Sequence, residues 1–333
     1  MTQLVECVPN VSEGRDRKKI DLFARAISDT PGVALLHVDS NPDAHRTVFT
    51  YVGSGEALIA AGLRLFEAVA SQIDMRQQFG AHPRIGAVDV VPFVPLENVT
   101  MQDCIGFSTE LARLAAEHFE VPVYLYEYAA SSARRRPLPN VRRGGFEGLS
   151  QKMHDPDWQP DFGPAIPHPT LGASVIGARR LLVAFNVELE TRDQEIADAI
   201  ARELRASGHA TTRLPALRAI GWYMEQYAAA QVSMNLTDLS KTGMFQAFDG
   251  CRRVAASYGV KVRGSELIGL VPEAALIRAG RDAQGASAAT IDAEQAILHA
   301  VREFGLKLRG TFELNERILE RAIATHQRYN SRD

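Results

Sequence analysis

Apolar residues along the chain recur with two periods, and the switches between them lay out the elements. Residues 4–9 read as a short strand, closed by Pro9-Asn10. Over 18–28 the apolar positions Ile20, Leu22, Phe23, Ala26 and Ile27 fall at helical spacing, and Pro31-Gly32 ends the run. Residues 33–38 and 47–52 read as strands around the turn Ser40-Asn-Pro-Asp43, with Asp39 at the end of the first. A helix over about 56–73 follows, with Leu58, Ile59, Leu63, Phe66 and Val69 on its apolar stripe. Behind a Gly/Pro-bounded loop, residues 87–91 are short and Val-rich, the mark of a buried strand. The order is β-α-β-β-α-β.

Residues 100–119 then read as a helix with Thr100 as N-cap and Asp103 in the capping-box position, and 121–126 as a strand. Five prolines within 155–169 (156, 160, 164, 167 and 169) exclude a helix or a central strand there. A loop that long is either a linker or a functional segment, and the second is commoner. Beyond it the pattern recurs: strand 181–187, helix 192–206, strands 217–220 and 230–235, helix 241–258, strand 266–271. Residues 292–305 and 315–325 add two helices, and 281–289 reads as flexible. Two such orders predict an α/β (α+β) fold of two ferredoxin-like βαββαβ subdomains, 1–178 and 179–333. Each is a mostly antiparallel or mixed sheet with helices packed on it. The likeness is of element order, without a residue-level repeat. A length of 333 residues also favours two cores over one.

Composition changes this picture little. Hydrophobic residues at 46% and charged residues at 23% are those of an ordinary globular protein. A net charge of −3 gives no general attraction to nucleic acid or anionic membrane. The first residues lack a basic stretch and carry Glu6 within their apolar run, a poor signal peptide. No apolar run approaches the ~20 residues that span a bilayer. Cys7, Cys104 and Cys251 are few and far apart, without metal spacing. A cytoplasmic protein is expected.

Candidate chemistry centres on Phe79-Gly-Ala-His-Pro-Arg-Ile-Gly-Ala-Val-Asp89. It sets His82 on a stiff turn at a strand entry, beside Arg84 and ahead of Asp89, where a general acid/base can work; a turn or packing histidine is the competing reading. His37-Val-Asp-Ser-Asn-Pro-Asp-Ala-His45 offers metal-type side chains, but a strand end with an Asx turn explains it better, and no metal is expected. Arg46 is the better working residue there, since a guanidinium takes a carboxylate bidentately. Gly53-Ser-Gly55 opens a helix as a dinucleotide loop would, but the sixth position is Leu58 instead of Gly or Ala. No Gly-x-Ser-x-Gly elbow is present, and no cysteine sits in an obviously cationic loop. The arginines at 134–136 and 142–143 are a solvated basic face or a landing site for an acidic substrate. Gly163-Pro-Ala-Ile-Pro-His-Pro-Thr-Leu-Gly172 is stiff enough to line a ligand at low entropic cost, or to strap two domains together.

Several stretches, taken together, resemble the formiminotransferase domain family. They include Val5-Glu-Cys-Val-Pro-Asn-Val-Ser-Glu-Gly14, His45-Arg-Thr-Val-Phe-Thr-Tyr-Val-Gly53 and Gly80-Ala-His-Pro-Arg-Ile-Gly-Ala-Val-Asp-Val-Val-Pro-Phe93. Gly172-Ala-Ser-Val-Ile-Gly-Ala-Arg-Arg180, Ala219-Ile-Gly-Trp-Tyr223, Ala230-Gln-Val-Ser-Met-Asn235 and Glu266-Leu-Ile-Gly-Leu-Val-Pro272 continue the match in order. The resemblance implies transfer of a formimidoyl group from N-formimidoyl-L-glutamate to N5 of tetrahydrofolate, in histidine breakdown. It implies tetrahydrofolate as co-substrate, two α/β subdomains with a folate site in the cleft between them, and a homodimer. The chain ends before a cyclodeaminase domain could begin, so that second activity is not implied. His82 falls on the family's catalytic histidine, and Gly163, Pro164, Ala165, Ile166, Pro167, His168, Pro169, Thr170, Leu171 and Gly172 on its folate-binding segment. Ala81 stands where the family often has an acidic residue, which leaves the partner of His82 open.

For that chemistry an imidazole titrating near neutrality serves twice: N5 must lose a proton and the leaving amine must gain one. Asp39, from its place at a strand end, is assigned to the amidinium charge, and Arg46 and Arg84 to the glutamate carboxylates. The rival readings are a folate one-carbon enzyme using formimidoylglycine or interconverting 5-formyltetrahydrofolate, and a non-catalytic amino-acid-binding module.

Overall fold

Strands form where β-branched and aromatic runs are followed by a helix with one apolar stripe to cover them. The computed structural model describes residues 3–207, 211–285 and 291–330. The chain divides into two units, Met1–Arg180 and Leu181–Asp333.

In the first unit the elements are β1 (Leu4–Cys7), β2 (Asn10–Val11), α1 (Arg17–Ser28), β3 (Val33–Asn41), β4 (Arg46–Gly53), α2 (Gly55–Ala70), β5 (Val88–Glu97) and α3 (Met101–Phe119). They continue with β6 (Val123–Glu127), α4 (Leu138–Arg142), α5 (Leu149–Met153) and β7 (Ser174–Ala178). β1 and β2 are one line of chain broken at Val8-Pro9, and each pairs antiparallel with β4 and β5 on its two sides. β3 closes one edge on β4; β7 runs parallel to β5, and β6 parallel to β7. The sheet is therefore a ferredoxin-like antiparallel core widened by two parallel strands.

One face packs Ile20, Phe23, Leu58, Leu65 and Leu111 of the three long helices against Val5, Phe49, Tyr51 and Phe93. Each such buried side chain contributes roughly 1.5–3 kcal/mol. A smaller cluster of Ile85, Val90, Tyr124, Tyr126, Val141, Leu149, Met153 and Trp158 joins β5 and β6 to α4 and α5. The Tyr124 hydroxyl donates to the Trp158 carbonyl (2.6 Å), tying the chain around α4 and α5 to the strands.

The second unit contains β8 (Val183–Leu189), α6 (Gln194–Leu204), β9 (Leu217–Met224), β10 (Ala229–Leu236), α7 (Met244–Ser257) and β11 (Val262–Ile268). Its sheet, ordered β11-β8-β10-β9, is wholly antiparallel. Fourth, first, third, second is also the order of the antiparallel core of the first unit. α8 (Glu273–Gln284), α9 (Ala293–Glu303), α10 (Leu314–Arg317) and α11 (Leu319–Asn330) follow. No described helix is long and apolar enough to cross a membrane.

The expected fold class holds in both units, with local differences. β5 runs on to Glu97 through Pro92 and Pro95; Pro92 lacks a donor, but its carbonyl accepts from Val8 N (3.2 Å). β7 went unread because it is five residues long, contains Ser174 and Gly177, and is buried throughout, so no alternation marks it. α8 covers 281–284 of the stretch expected to be flexible; its buried positions are Leu276, Ala279 and Gly280, a weak apolar stripe. Residues 286–289 of that stretch lie outside the described residues. Asp39 lies within β3, which continues to Asn41 because Asn41 pairs with Arg46.

Candidate active site

The turn after Ile85 is pinned from both sides. Ser12 N donates to the Ala87 carbonyl (2.8 Å), and Ser12 Oγ to that of Gly86 (2.7 Å). On the other side Ala87 N donates to the Leu171 carbonyl (2.9 Å), and Ala173 N to that of Ile85 (3.0 Å). The chains approach so closely that a Cβ on Gly86 would lie 2.0 Å from the Ala173 carbonyl oxygen, which excludes any other residue. The His82 loop and the end of the 163–172 segment are thus brought together, although ninety residues separate them.

Asp89 is the central charge. Asn10 pairs with Val90 and Val11 with Val88, so Asp89 is the extra residue of a bulge in β5. A bulge re-aims a side chain against the regular alternation. The carboxylate is fully buried; Oδ1 accepts from Ile85 N (2.8 Å), and Oδ2 from Arg46 Nη1 (2.8 Å) and Arg142 Nη2 (2.6 Å). Burial pushes its pKa up, but the two guanidiniums outweigh that and bring it to about 2. Arg46 Nε is held in turn by Asn10 Oδ1 (2.9 Å). Burial lowers the Arg46 pKa to about 10, so it stays charged at neutral pH. Arg46 Nη2 and Arg142 Nε are buried with no hydrogen-bond partner among the described residues. Two cations share one anion there, and donors are left over.

His82 sits at this cluster. The residue is half-buried. Desolvation, then the charges of Arg46 and Arg142, hold its pKa well below the ordinary imidazole value, with Asp89 opposing. The ring is therefore neutral at pH 7. Nδ1 lies 2.7 Å from the Pro83 carbonyl, which can only accept, so Nδ1 carries the hydrogen and Nε2 the lone pair. The arrangement sets Nε2 beside a cationic patch.

Arg84 is anchored separately. Its Nε donates to Gln78 Oε1 (2.9 Å) and Nη2 to the Gln78 carbonyl (3.0 Å). Buried Gln78 is itself placed by Nε2 contacts to His45 Nδ1 and the His45 carbonyl (2.8 Å each). Asp39 makes an ion-pair contact with His37, 3.8 Å away, and the Asp89 carboxylate acts on His82. Among the described residues, no three His, Cys, Asp or Glu side chains group as a metal site would need.

Along the expected folate segment, Gly163, Pro164, Ala165, Ile166 and Pro169 lie at the surface, with Ile166 69% exposed. Pro167, His168 and Thr170 are half-buried, and Leu171 and Gly172 are buried against the His82 turn. His168 closes the stretch through paired bonds with Gly172 (2.9 and 3.0 Å), and its Nδ1 accepts from Leu171 N (3.0 Å). Of the basic loops, Arg135 is buried on Asp161 (3.1 Å) and Arg134 pairs with Asp157. Arg142 turns inward to Asp89, which neither reading of a basic loop anticipated. Asn10 and Gln78 were not singled out from the sequence, and Arg142 only as part of a basic loop. The only signal for Asn10 was its place in the Val5-to-Gly14 motif.

Comparison with known proteins identifies the family. Residues 4–179 match the family model described as the formiminotransferase domain, N-terminal subdomain, and residues 184–324 the model of the formiminotransferase domain. The chain is 42% identical over 325 residues to formimidoyltransferase-cyclodeaminase from Sus scrofa, covering 96% of this chain and 60% of that protein. It is 41% identical over 277 residues to glutamate formimidoyltransferase from Streptococcus pyogenes serotype M1, covering 83% and 92%. The Thermoplasma acidophilum protein of the same name is 40% identical over 276 residues, covering 82% and 90%. The chain spans about 60% of the length of the two-named relatives such as the pig protein.

Proposed function

The chain belongs to the formiminotransferase family, and we propose that it moves the formimidoyl group of N-formimidoyl-L-glutamate to N5 of tetrahydrofolate, releasing L-glutamate. The observation that carries this reading is the neutral imidazole of His82 set on a buried Arg46–Asp89–Arg142 cluster beside Leu171 and Gly172.

The N5 amine attacks the formimidoyl carbon and its proton passes to His82 Nε2. The tetrahedral intermediate collapses as the imidazolium returns that proton to the departing glutamate nitrogen. The two arginines make the imidazolium a strong acid, which favours the return, while Asp89 keeps it accessible. Arg46 and Arg84 hold donor carboxylates. Asp39 is kept for the amidinium charge. Residues 163–172 take the folate, and the exposed Arg136 and Arg143 meet its glutamyl tail. Tetrahydrofolate is a co-substrate, and no step needs a metal. We extend the reading to a homodimer in the cytoplasm, which light scattering and cell fractionation check.

The test is to mix formimidoylglutamate, tetrahydrofolate and protein and follow 5-formimidoyltetrahydrofolate. His82→Ala should cut kcat by roughly 10²–10⁴-fold while folate binding is kept. Near-normal turnover in that variant would remove His82 from the mechanism. Turnover with formimidoylglycine in place of the glutamate adduct would redirect the donor.

A further inference from the structure

Arg84 is built as a carboxylate receptor before any donor arrives. From behind, Gln78 takes Nε through its side chain and Nη2 through its carbonyl. His45 and its carbonyl fix the Gln78 amide in turn. This leaves Nη1 and Nη2 facing outward as a fork, and a carboxylate already sits on it: Glu147 Oε2 at 2.9 Å from Nη1 and Oε1 at 2.7 Å from Nη2. The two partners differ sharply in exposure. The Arg84 side chain is 11% exposed and that of Glu147 61%. Glu147 is a cap on an otherwise covered cation.

The turn that carries it suits this role. Gly145 has φ +64°, and a Cβ there would stand 3.1 Å from Glu147 Oε2 and 3.8 Å from Arg84 Nη1. Phe146 anchors the same turn against Gly172, where an added Cβ would meet its ring at 2.9 Å. The backbone is held by Gly145 N to the Arg142 carbonyl and Gly148 N to that of Gly144 (2.9 Å each). Rotation of one exposed side chain therefore frees the fork without moving the main chain, and water recovers most of what Glu147 gives up.

We propose that Glu147 is an internal stand-in for a donor carboxylate, occupying the Arg84 fork in the free protein and displaced when the donor binds. It rests on the reading of Arg84 as a donor-carboxylate site. The consequence is a competition: donor affinity is set by the difference between two carboxylates for one guanidinium, so a donor lacking the carboxylate cannot open the fork. Glu147 acts through Arg84 and touches no reacting atom.

The experiment is steady-state kinetics with formimidoylglutamate and tetrahydrofolate for the wild-type protein, Glu147→Gln and Glu147→Ala. Both variants should lower the donor KM by roughly three- to tenfold, with kcat and the tetrahydrofolate KM within twofold. Calorimetric binding of L-glutamate, which bears the same carboxylates, should tighten by a like factor. In an Arg84→Met background, Glu147→Gln should leave the donor KM unmoved, because the competition has lost its object. An active wild type whose donor KM is unchanged or raised by both Glu147 variants would overturn the displacement alone. An inactive wild type would overturn the functional reading and the displacement with it.

Discussion

Two buried carboxylates, one in each unit, are each gripped by two arginines, and they behave differently. Glu188 on β8 takes Arg263 (2.7 Å), Arg309 and the Gln231 amide (3.3 Å), and Gln231 is itself held by the Trp222 indole (3.1 Å). Its arginines reach solvent, with side chains 46% and 28% exposed, and Arg309 also lies 3.4 Å over the Tyr227 ring. Around Asp89 the arginines are 7% and 14% exposed, two of their nitrogens are orphaned, and a titratable ring sits against them. The first cluster spends its charges on itself and on water. The second holds unspent donors in a dry place, the condition under which a protein can pay most for binding and proton transfer.

Breaking each cluster at its carboxylate tests the contrast most strongly. Asp89→Asn strands two buried guanidiniums and should cost about 3–5 kcal/mol in urea unfolding. Glu188→Gln leaves arginines that can rehydrate and should cost about 1–3 kcal/mol. Equal costs would abolish the distinction. A sharper test reads the site itself. Arg142→Met removes one of the cations that depress His82, so the pKa of the ring must rise. On the proposed role of His82 as a base active only when neutral, the acid limb of kcat/KM should move up by on the order of one pH unit. A limb that stays in place or moves down would separate Arg142 from the base.

The smallest effect belongs to Lys152. Its ammonium lies 4.0 Å over the Trp158 ring and bonds the carbonyls of Asn140 (2.8 Å), Val141 and Arg143 (3.3 Å), the residues around Arg142. Lys152→Met should loosen the end of α4 by about 1 kcal/mol, seen as faster amide exchange over 138–143. Unchanged protection there would show that Arg142 is positioned by Asp89 alone.

Much of this was legible along the chain. Alternating and helical periods placed every strand and helix of both βαββαβ orders, and the Thr100–Asp103 capping box is present as expected. The Gly-Ala-His-Pro-Arg motif singled out His82 and Arg84. The prolines of 155–169 were rightly denied a helix or a central strand; a single 3-10 turn, Pro156–Trp158, forms there. Less legible was which way a charged side chain faces. Arg142 reads as surface, because four of its close neighbours in sequence are Asn, Arg and Gly. Asp89 lies in a run of valines, where alternation assigns it to one face and only the bulge against Asn10 and Val11 turns it onto Arg46 and Arg142.

Periodicity and motif were therefore enough for the two-unit α/β architecture and the family. They work because the burial of a helix stripe or a strand face is a property of residues within a few positions of one another. The partner of His82, the Gln78 backing of Arg84 and the Glu147 cap were decided by tertiary structure. Each depends on a register shift or a turn that brings together chain segments up to 80 residues apart, and on how tightly they pack.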